Sequence, residues 1–421
     1  MAERALTRPR RHVLVTLPVW ARVLVVYLAA RIVTTLLIAL SSALAPDDGR
    51  HGANPTMLDY IVAWDAAWYR EIALNGYPSE IPVDGHGQAQ QNAWAFMPVY
   101  PWAARILAAL VPGAGFGSED VWAVANAWAL AAALISLVAG YFACWGIHTL
   151  LVDRLGRISA LWGVAFVAFG PLSLMFQVGY AEAAFLALAV WSLVAIRREA
   201  WWSLYLTIPV MAFTRPGELA LPLTIALYGL WRIRHRAERP IHRAEVVHIL
   251  ATGALGSLLG FAWPMIANAV TRNPDAYFET ELSWRRGWVG EHSGFIPGEG
   301  WIQGAEAWAG IWGVPHLYGY LLLALVAACA VGLFFLPSVR ALGIETKLWG
   351  ASYLVYAALV IFPQSSVLRL LMPLAPLAAG ALAAPRLLRS SRILILVALT
   401  ALQFWWTHAM YGMGNTFYLI P

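Results

Sequence analysis

Charge is the scarcest resource in this chain. Of its 421 residues only 12% are Asp, Glu, Lys or Arg, against ~25% in soluble domains, which excludes an ordinary water-soluble enzyme. Lysine occurs once, at Lys347, so the net charge of +5 is carried by arginine. The two cysteines, Cys144 and Cys329, both fall in apolar runs; they read as small apolar residues and imply neither a disulfide framework nor a metal site. Alternating ten-residue strand patterns are absent, which excludes an outer-membrane barrel. The ten histidines show no HExxH or other ligand-like spacing, so no metal is predicted. There is no Asp-x-Asp pair of the kind that holds a metal–nucleotide-sugar complex. The run Gly113-Ala114-Gly115-Phe116-Gly117 follows no strand and lacks the spacing of a dinucleotide fingerprint.

What is present is hydrophobic: 60% of the residues, with a mean hydropathy of +0.64. Several runs approach the ~20 apolar residues that span a bilayer. The chain reads as an all-α polytopic membrane protein, one domain over 1–421, with 11 spans near 20–44, 121–150, 158–177, 181–196, 200–214, 218–233, 245–269, 315–336, 347–362, 367–385 and 391–409. Arg4, Arg8, Arg10 and Arg11 precede the first run, but that run is too long for a signal h-region and contains Arg22 and Arg31, so an uncleaved span is expected. With a cytoplasmic N-terminus, most arginines, including Arg154/Arg157, Arg197/Arg198, Arg232 to Arg243 and Arg386/Arg389/Arg392, fall inside. Most acids fall outside, chiefly in two large loops, 45–120 and 270–314, where chemistry is expected. The segment 96–111 is apolar but short and begins with two prolines; it reads as an interfacial helix.

The first loop carries Trp64-Asp65-Ala66-Ala67-Trp68-Tyr69-Arg70-Glu71-Ile72-Ala73-Leu74-Asn75-Gly76-Tyr77-Pro78. Asp65 reads as an N-cap, Gly76 as the C′ residue and Pro78 as a stop. Helical spacing brings Asp65 near Trp68 and Tyr69. A carboxylate among aromatics suits a general base with a raised pKa; the plainer alternative is a cap on an interfacial helix anchored by Trp64, Trp68 and Tyr69. Gly179-Tyr180-Ala181-Glu182 sets a second carboxylate between spans three and four, to bind sugar hydroxyls or an arginine, or to complement a helix dipole. Arg215, in Thr214-Arg215-Pro216-Gly217-Glu218, and Arg369, in Gln364-Ser365-Ser366-Val367-Leu368-Arg369, stand outside against the charge bias. Phosphate is a natural partner for both; Glu218 is the alternative partner of Arg215, and snorkelling is an alternative for each. The second loop offers Arg285, Arg286, Trp288, Glu291, His292, Trp301 and Trp308, as sugar and phosphate contacts or as an aromatic belt. Arg31 is left to pair with an outer-loop acid or to snorkel inward.

The Trp64–Pro78 block resembles the "WD..WY..IA..GY" signature after the first span of PIG-V-type mannosyltransferases, polyprenyl-phosphate-sugar-dependent enzymes of the GT-C superfamily. Three further elements match in order: "F.P.YP" at Phe96–Pro101, "YSE" at Tyr180-Ala181-Glu182 with Ala181 replacing Ser, and "TRP" at Thr214-Arg215-Pro216. Arg369 is similar to the arginine that precedes the family's last helices. The resemblance implies a GT-C-like bundle with interfacial helices in the first outer loop, and inverting transfer of mannose from a polyprenyl-phosphate donor. It implies Asp65 as general base, with a phosphate clamp of Arg215 and Arg369 joined by Arg285 or Arg286. Trp64, Trp68, Tyr69, Tyr180, Glu182, Trp288 and His292 are the expected sugar and acceptor contacts.

The Arg- and Ala-rich composition suits a bacterial, actinobacterial-like member in the plasma membrane, its active site extracytoplasmic. Expected partners are the lipid-linked donor, a lipid, glycan or protein acceptor and membrane lipids, without nucleic acid; metal-independent transfer is expected, a divalent cation being left open. Two other classes compete. A lipid-linked-sugar transporter or flippase predicts paired broken helices in two related halves, which the sequence does not show. A polyprenyl-diphosphate-dependent ligase would share an outer-face site and differ in its donor.

Overall fold

A backbone out of water must satisfy its own N–H and C=O groups, so long apolar runs close into helices. The computed structural model describes residues 17–290, 294–384 and 389–421; Arg4, Arg8, Arg10, Arg11, Glu291, His292 and Arg386 lie outside the described residues. Among the described residues helix is the regular structure, with no strand beyond one isolated bridge between Val83 and Ala89. In chain order the main helices are α1 (Val19–Ala43), α2 (Asp65–Asn75), α3 (Val99–Ala108), α4 (Val121–Leu155), α5 (Arg157–Ala168), α6 (Glu182–Arg198), α7 (Trp201–Ala212) and α8 (Ala220–Arg234). They continue with α9 (Arg243–Gly260), α10 (Ala262–Thr271), α11 (Ala276–Val289), α12 (Glu299–Ile311), α13 (His316–Leu333), α14 (Ile344–Val360), α15 (Ala375–Ala383) and α16 (Arg392–Thr407).

Among the described residues five helical stretches are long and apolar enough to cross a membrane: Val19–Ala43, Val121–Leu155, Arg243–Thr271, His316–Leu333 and Arg392–Met413. Of the 11 expected spans, these account for five; the other six coincide with shorter helices. Helix α7 shows why. It has 12 residues, a rise of ~18 Å against ~30 Å of hydrocarbon, and Pro209 near its end removes a backbone donor. Helix α3, within 96–111, has only ten residues, ~15 Å of rise. It buries Tyr100, Ala104 and Ala108, and the Tyr100 hydroxyl donates to the Ala132 carbonyl of α4 at 2.8 Å.

The core forms around α4, whose buried positions are mostly Ala, Gly and Ser. Small residues let helix backbones approach closely; a Cβ on Gly146 would stand 2.5 Å from a Val190 methyl of α6. Helix α1 buries Val23, Tyr27, Ala30, Arg31, Thr34, Ile38 and Ser41, a single face at helical spacing. Arg31 neither pairs with a loop acid nor snorkels. It donates to the carbonyls of Ala168 and Ser173, both at 2.6 Å, and to Gln177 Oε1 at 3.1 Å, satisfying the chain where α5 ends. Arg105 plays the same part for Gly113–Gly117, donating to the Ala114 and Gly115 carbonyls at 2.9 Å each.

Several tryptophans are cross-links rather than belt residues. The indoles of Trp94, Trp128, Trp308 and Trp349 donate to the carbonyls of Pro78, Pro101, Pro363 and Pro373. Proline interrupts regular pairing and leaves carbonyls seeking a donor. The same device ties the first large loop to α10, whose Trp263 indole donates to the Trp94 carbonyl at 3.0 Å, and the Asn92 amide joins it to the second loop by donating to Thr280 Oγ1 at 2.9 Å.

Candidate active site

Four charged residues from distant parts of the sequence meet at the N-terminus of α6. Glu182 opens that helix and is 2% exposed. Arg369, on the short helix Val367–Leu370, places one Nη1 atom 2.7 Å from Glu182 Oε1 and 2.6 Å from Asp65 Oδ2. Arg215, in the turn following α7, brings Nη1 to 3.4 Å from the same Glu182 oxygen. The partner of Arg215 is therefore Glu182. Glu218, the alternative, lies against the α9 backbone at Gly256 and Gly260, and both its oxygens lack a hydrogen bond among the described residues.

Asp65 is the first residue of α2 and not its cap; Trp64 holds the cap position without a side-chain bond. The Asp65 side chain turns to Arg369 instead, and its backbone N–H donates to the Tyr180 hydroxyl at 3.2 Å. Trp64 has φ 55° and ψ −123°, an uncommon conformation for a bulky residue. Three contacts hold it there. Its indole donates to the Met410 carbonyl at 3.0 Å, Arg50 stacks 3.7 Å above the ring, and a Cβ on Gly414 would stand 2.9 Å from it. Met410 belongs to a π-helical turn, His408–Met413, that continues α16; such turns are frequent at functional sites.

The cluster is charge-balanced but not fully bonded. Glu182 Oε2, Arg215 Nη1 and Arg369 Nε make no hydrogen bond among the described residues, an expensive state for buried ionic groups. Asp65 keeps 20% of its side chain exposed. Burial pushes its carboxyl above the ordinary range; Arg369 beside it opposes that rise, and the Glu182 charge adds to it. The cluster thus combines cationic donors able to meet an anion with a partly exposed carboxylate of raised pKa.

The remaining expected contacts divide. Tyr180 sits under Arg369, 5.2 Å from the guanidinium. Tyr69 is buried against Phe96 and Tyr100, each at 5.3 Å. Trp68 stacks on Phe96 and meets Trp284 of α11 edge-on, both at 6.0 Å, so α2 packs against α11. Arg285 and Arg286 do not join the cluster: Arg285 reaches Gln303 Oε1 at 3.4 Å and Arg286 donates to the Ala89 carbonyl. Loop carbonyls and amides supply the acceptors that a phosphate was expected to supply. Trp288 packs among Trp308, Phe362 and Phe417, and the indole of Trp64 is engaged by Met410 and Arg50. His292 is outside the described residues.

Two residues near the cluster were not singled out in the sequence. Arg50 lies in the first loop, and nothing in its neighbourhood marks it. Glu281 on α11 carries one available signal, the four-residue spacing of Tyr277, Glu281 and Arg285. Its carboxyl is pushed up to about 7 by burial, with Tyr277 opposing, Asp65 adding and Arg285 opposing. No protein-family model matches the chain, and no curated protein matches it in sequence.

Proposed function

We propose that the protein is a membrane glycosyltransferase that moves a sugar from a polyprenyl-phosphate donor to a hydroxyl acceptor, with inversion. One observation carries this reading: Asp65, Glu182, Arg215 and Arg369 converge with hydrogen-bonding capacity left over. The Asp65 carboxylate takes the acceptor proton as the hydroxyl oxygen attacks the anomeric carbon. The bond from that carbon to the phosphate oxygen breaks, and the phosphate monoester leaves with the electron pair. Arg369 and Arg215 stabilise the charge that develops on it, and Glu182 orients Arg369. With Arg369 held by two acids, Asp65 is a weak base. A phosphate arriving at Arg369 competes with Asp65 for the guanidinium and leaves the carboxylate free. A pKa raised by burial suits general-base work near neutral pH.

The sugar is mannose by the resemblance of the Trp64–Pro78 block. The eleven-span GT-C-like topology, a cytoplasmic N-terminus and an extracytoplasmic site in the plasma membrane belong to the same proposal. The test is transfer by purified protein from polyprenyl-phosphate mannose to membrane lipid extract. Asp65→Asn is expected to lower transfer by roughly 10²–10⁴-fold while donor binding and folding persist. Equal rates in both proteins would move the base elsewhere; no transfer by either, with uptake of lipid-linked sugar into vesicles, would favour a transporter.

A further inference from the structure

The turn between α7 and α8 is anchored at both ends by a charged side chain. Arg215 reaches Glu182, and Glu218, three residues on, lies against α9. Glu218 is 2% exposed. Among the described residues neither of its oxygens has a hydrogen bond, and no Lys, Arg or His nitrogen comes within 4.0 Å of them. Glycine makes the room: a Cβ on Gly256 would stand 3.0 Å from Oε1, and one on Gly260 2.8 Å from Oε2. The helical run is broken at the same place. Helix α9 stops at Gly260 and α10 starts at Ala262, and Pro264 has no N–H to offer the Gly260 carbonyl four residues before it. On α9 the nearest titratable residue, His248, is about two turns away and bonded to Tyr205. Helix α14 also packs on α8. It brings Tyr353, whose ring a Cβ on Gly217 would meet at 3.2 Å, and Tyr356. The Tyr353 hydroxyl donates to the Leu370 carbonyl at 2.7 Å, and neither tyrosine donates to Glu218.

We propose that Glu218 is a proton site: it is held as the neutral acid against the α9 backbone, and its ionisation frees the turn that carries Arg215. A carboxylate out of water with no donor is too costly to stay ionised and takes up a proton instead. A metal ion would ask for several oxygen ligands, and among the described residues no three Asp, Glu, His or Cys come together to hold one. A proton asks for a single acceptor, and a main-chain carbonyl left without its helical donor is such a group. Gly217 shapes the turn between the two anchors at φ 122°, a backbone angle that other residues rarely adopt. Once ionised, the carboxylate is stabilised by leaving α9 for water, and Arg215 lies only three residues away on the same turn. Glu218 is therefore a positioning residue that acts on the cluster through Arg215, whichever chemistry the cluster performs.

The test is infrared difference spectroscopy on detergent-purified full-length protein, wild type minus Glu218→Gln, at neutral pH. Glu218→Gln keeps the shape and neutrality of the acid and is expected to fold as wild type does. A protonated-carboxyl C=O band is expected in wild type and not in the variant; it should survive exchange of potassium for sodium and fade at alkaline pH. No such band at neutral pH would show an ionised carboxylate, and a band removed by sodium would show a metal ion in place of the proton; either overturns the inference. Hydrogen exchange over residues 210–222 reads the turn itself, as the rate in wild type divided by that in Glu218→Gln at the same pH. That ratio is expected to rise by up to ~10-fold per pH unit above the ordinary carboxylate range, because each unit over which the closed turn keeps a proton that the open turn has lost is a factor of ten. A flat ratio would show that the proton does not hold the turn and would overturn the inference. A failure of the transferase reading shows separately, as absent transfer in the Asp65 comparison, and moves neither readout.

Discussion

Two buried arginine–carboxylate groups in this chain are built to different rules. Arg232 and Glu245 form a complete pair: Nε to Oε1 at 2.5 Å and Nη2 to Oε2 at 2.9 Å, with the guanidinium also donating to the carbonyls of Arg239 and Pro240. Neither side chain keeps a buried polar atom without a partner. At the Asp65–Arg369 cluster a single nitrogen serves two acids, while a guanidinium nitrogen on each arginine and one Glu182 oxygen go without. A pair whose donors and acceptors are all used is a structural tie. A cluster with capacity left over can receive something.

The comparison breaks most visibly at Asp65. Asp65→Asn should lower transfer by roughly 10²–10⁴-fold, the range for loss of a general base, with no drop in melting temperature; a rate near wild type would take the cluster out of catalysis. Next come matched changes to the two arginines. Arg369→Gln should raise the KM for donor by roughly 10²-fold, within the range for a buried charge contact. Arg232→Gln should leave turnover per folded molecule unchanged but cost about 3–5 kcal/mol of stability, because Glu245 is left buried and unpaired. If the two variants lose stability alike and donor affinity is untouched, the distinction between tie and site fails.

A smaller effect concerns pH. It runs through the Glu281 carboxyl, which burial pushes up to about 7. The folded-state pKa lies above the unfolded value, so the contribution is present below pH 4.5 and is lost as pH rises through about 7. Thermal melts of wild type and Glu281→Gln across that window measure it. The smallest effect is expected at Arg286→Ala, about 0.5–1.5 kcal/mol for one hydrogen bond to a loop carbonyl, with donor KM unchanged.

The members of the cluster were legible for one reason: each is a charge where its surroundings argue against one. Asp65 lies among aromatics, Glu182 opens an apolar helix, and Arg215 and Arg369 oppose the charge bias. Their pairing was not legible, since nothing local distinguishes Glu182 from Glu218 as the partner of Arg215. Asp65 missed its predicted capping role because Arg369, more than three hundred residues away in sequence, outcompetes a nearby backbone N–H. Arg285 and Arg286 looked like phosphate ligands because sequence displays charge but not the carbonyls that meet it. Glu281 was hidden by company: in a loop already rich in acids, one more carries no contrast. For the fold, helix positions followed from hydropathy, whereas helix lengths depended on prolines and on where arginines such as Arg31 tie off the chain ends.

Trp64 precedes its carbonyl partner at Met410 by 346 residues. At a synthesis rate of roughly 5–20 residues per second, the strained turn ahead of Asp65 is made tens of seconds before the segment that locks it. During that interval the first loop has no reason to hold its final shape. The Asp65 carboxylate is made early and set in place late, so a ribosome stalled before the final helix leaves the turn ahead of it unlocked.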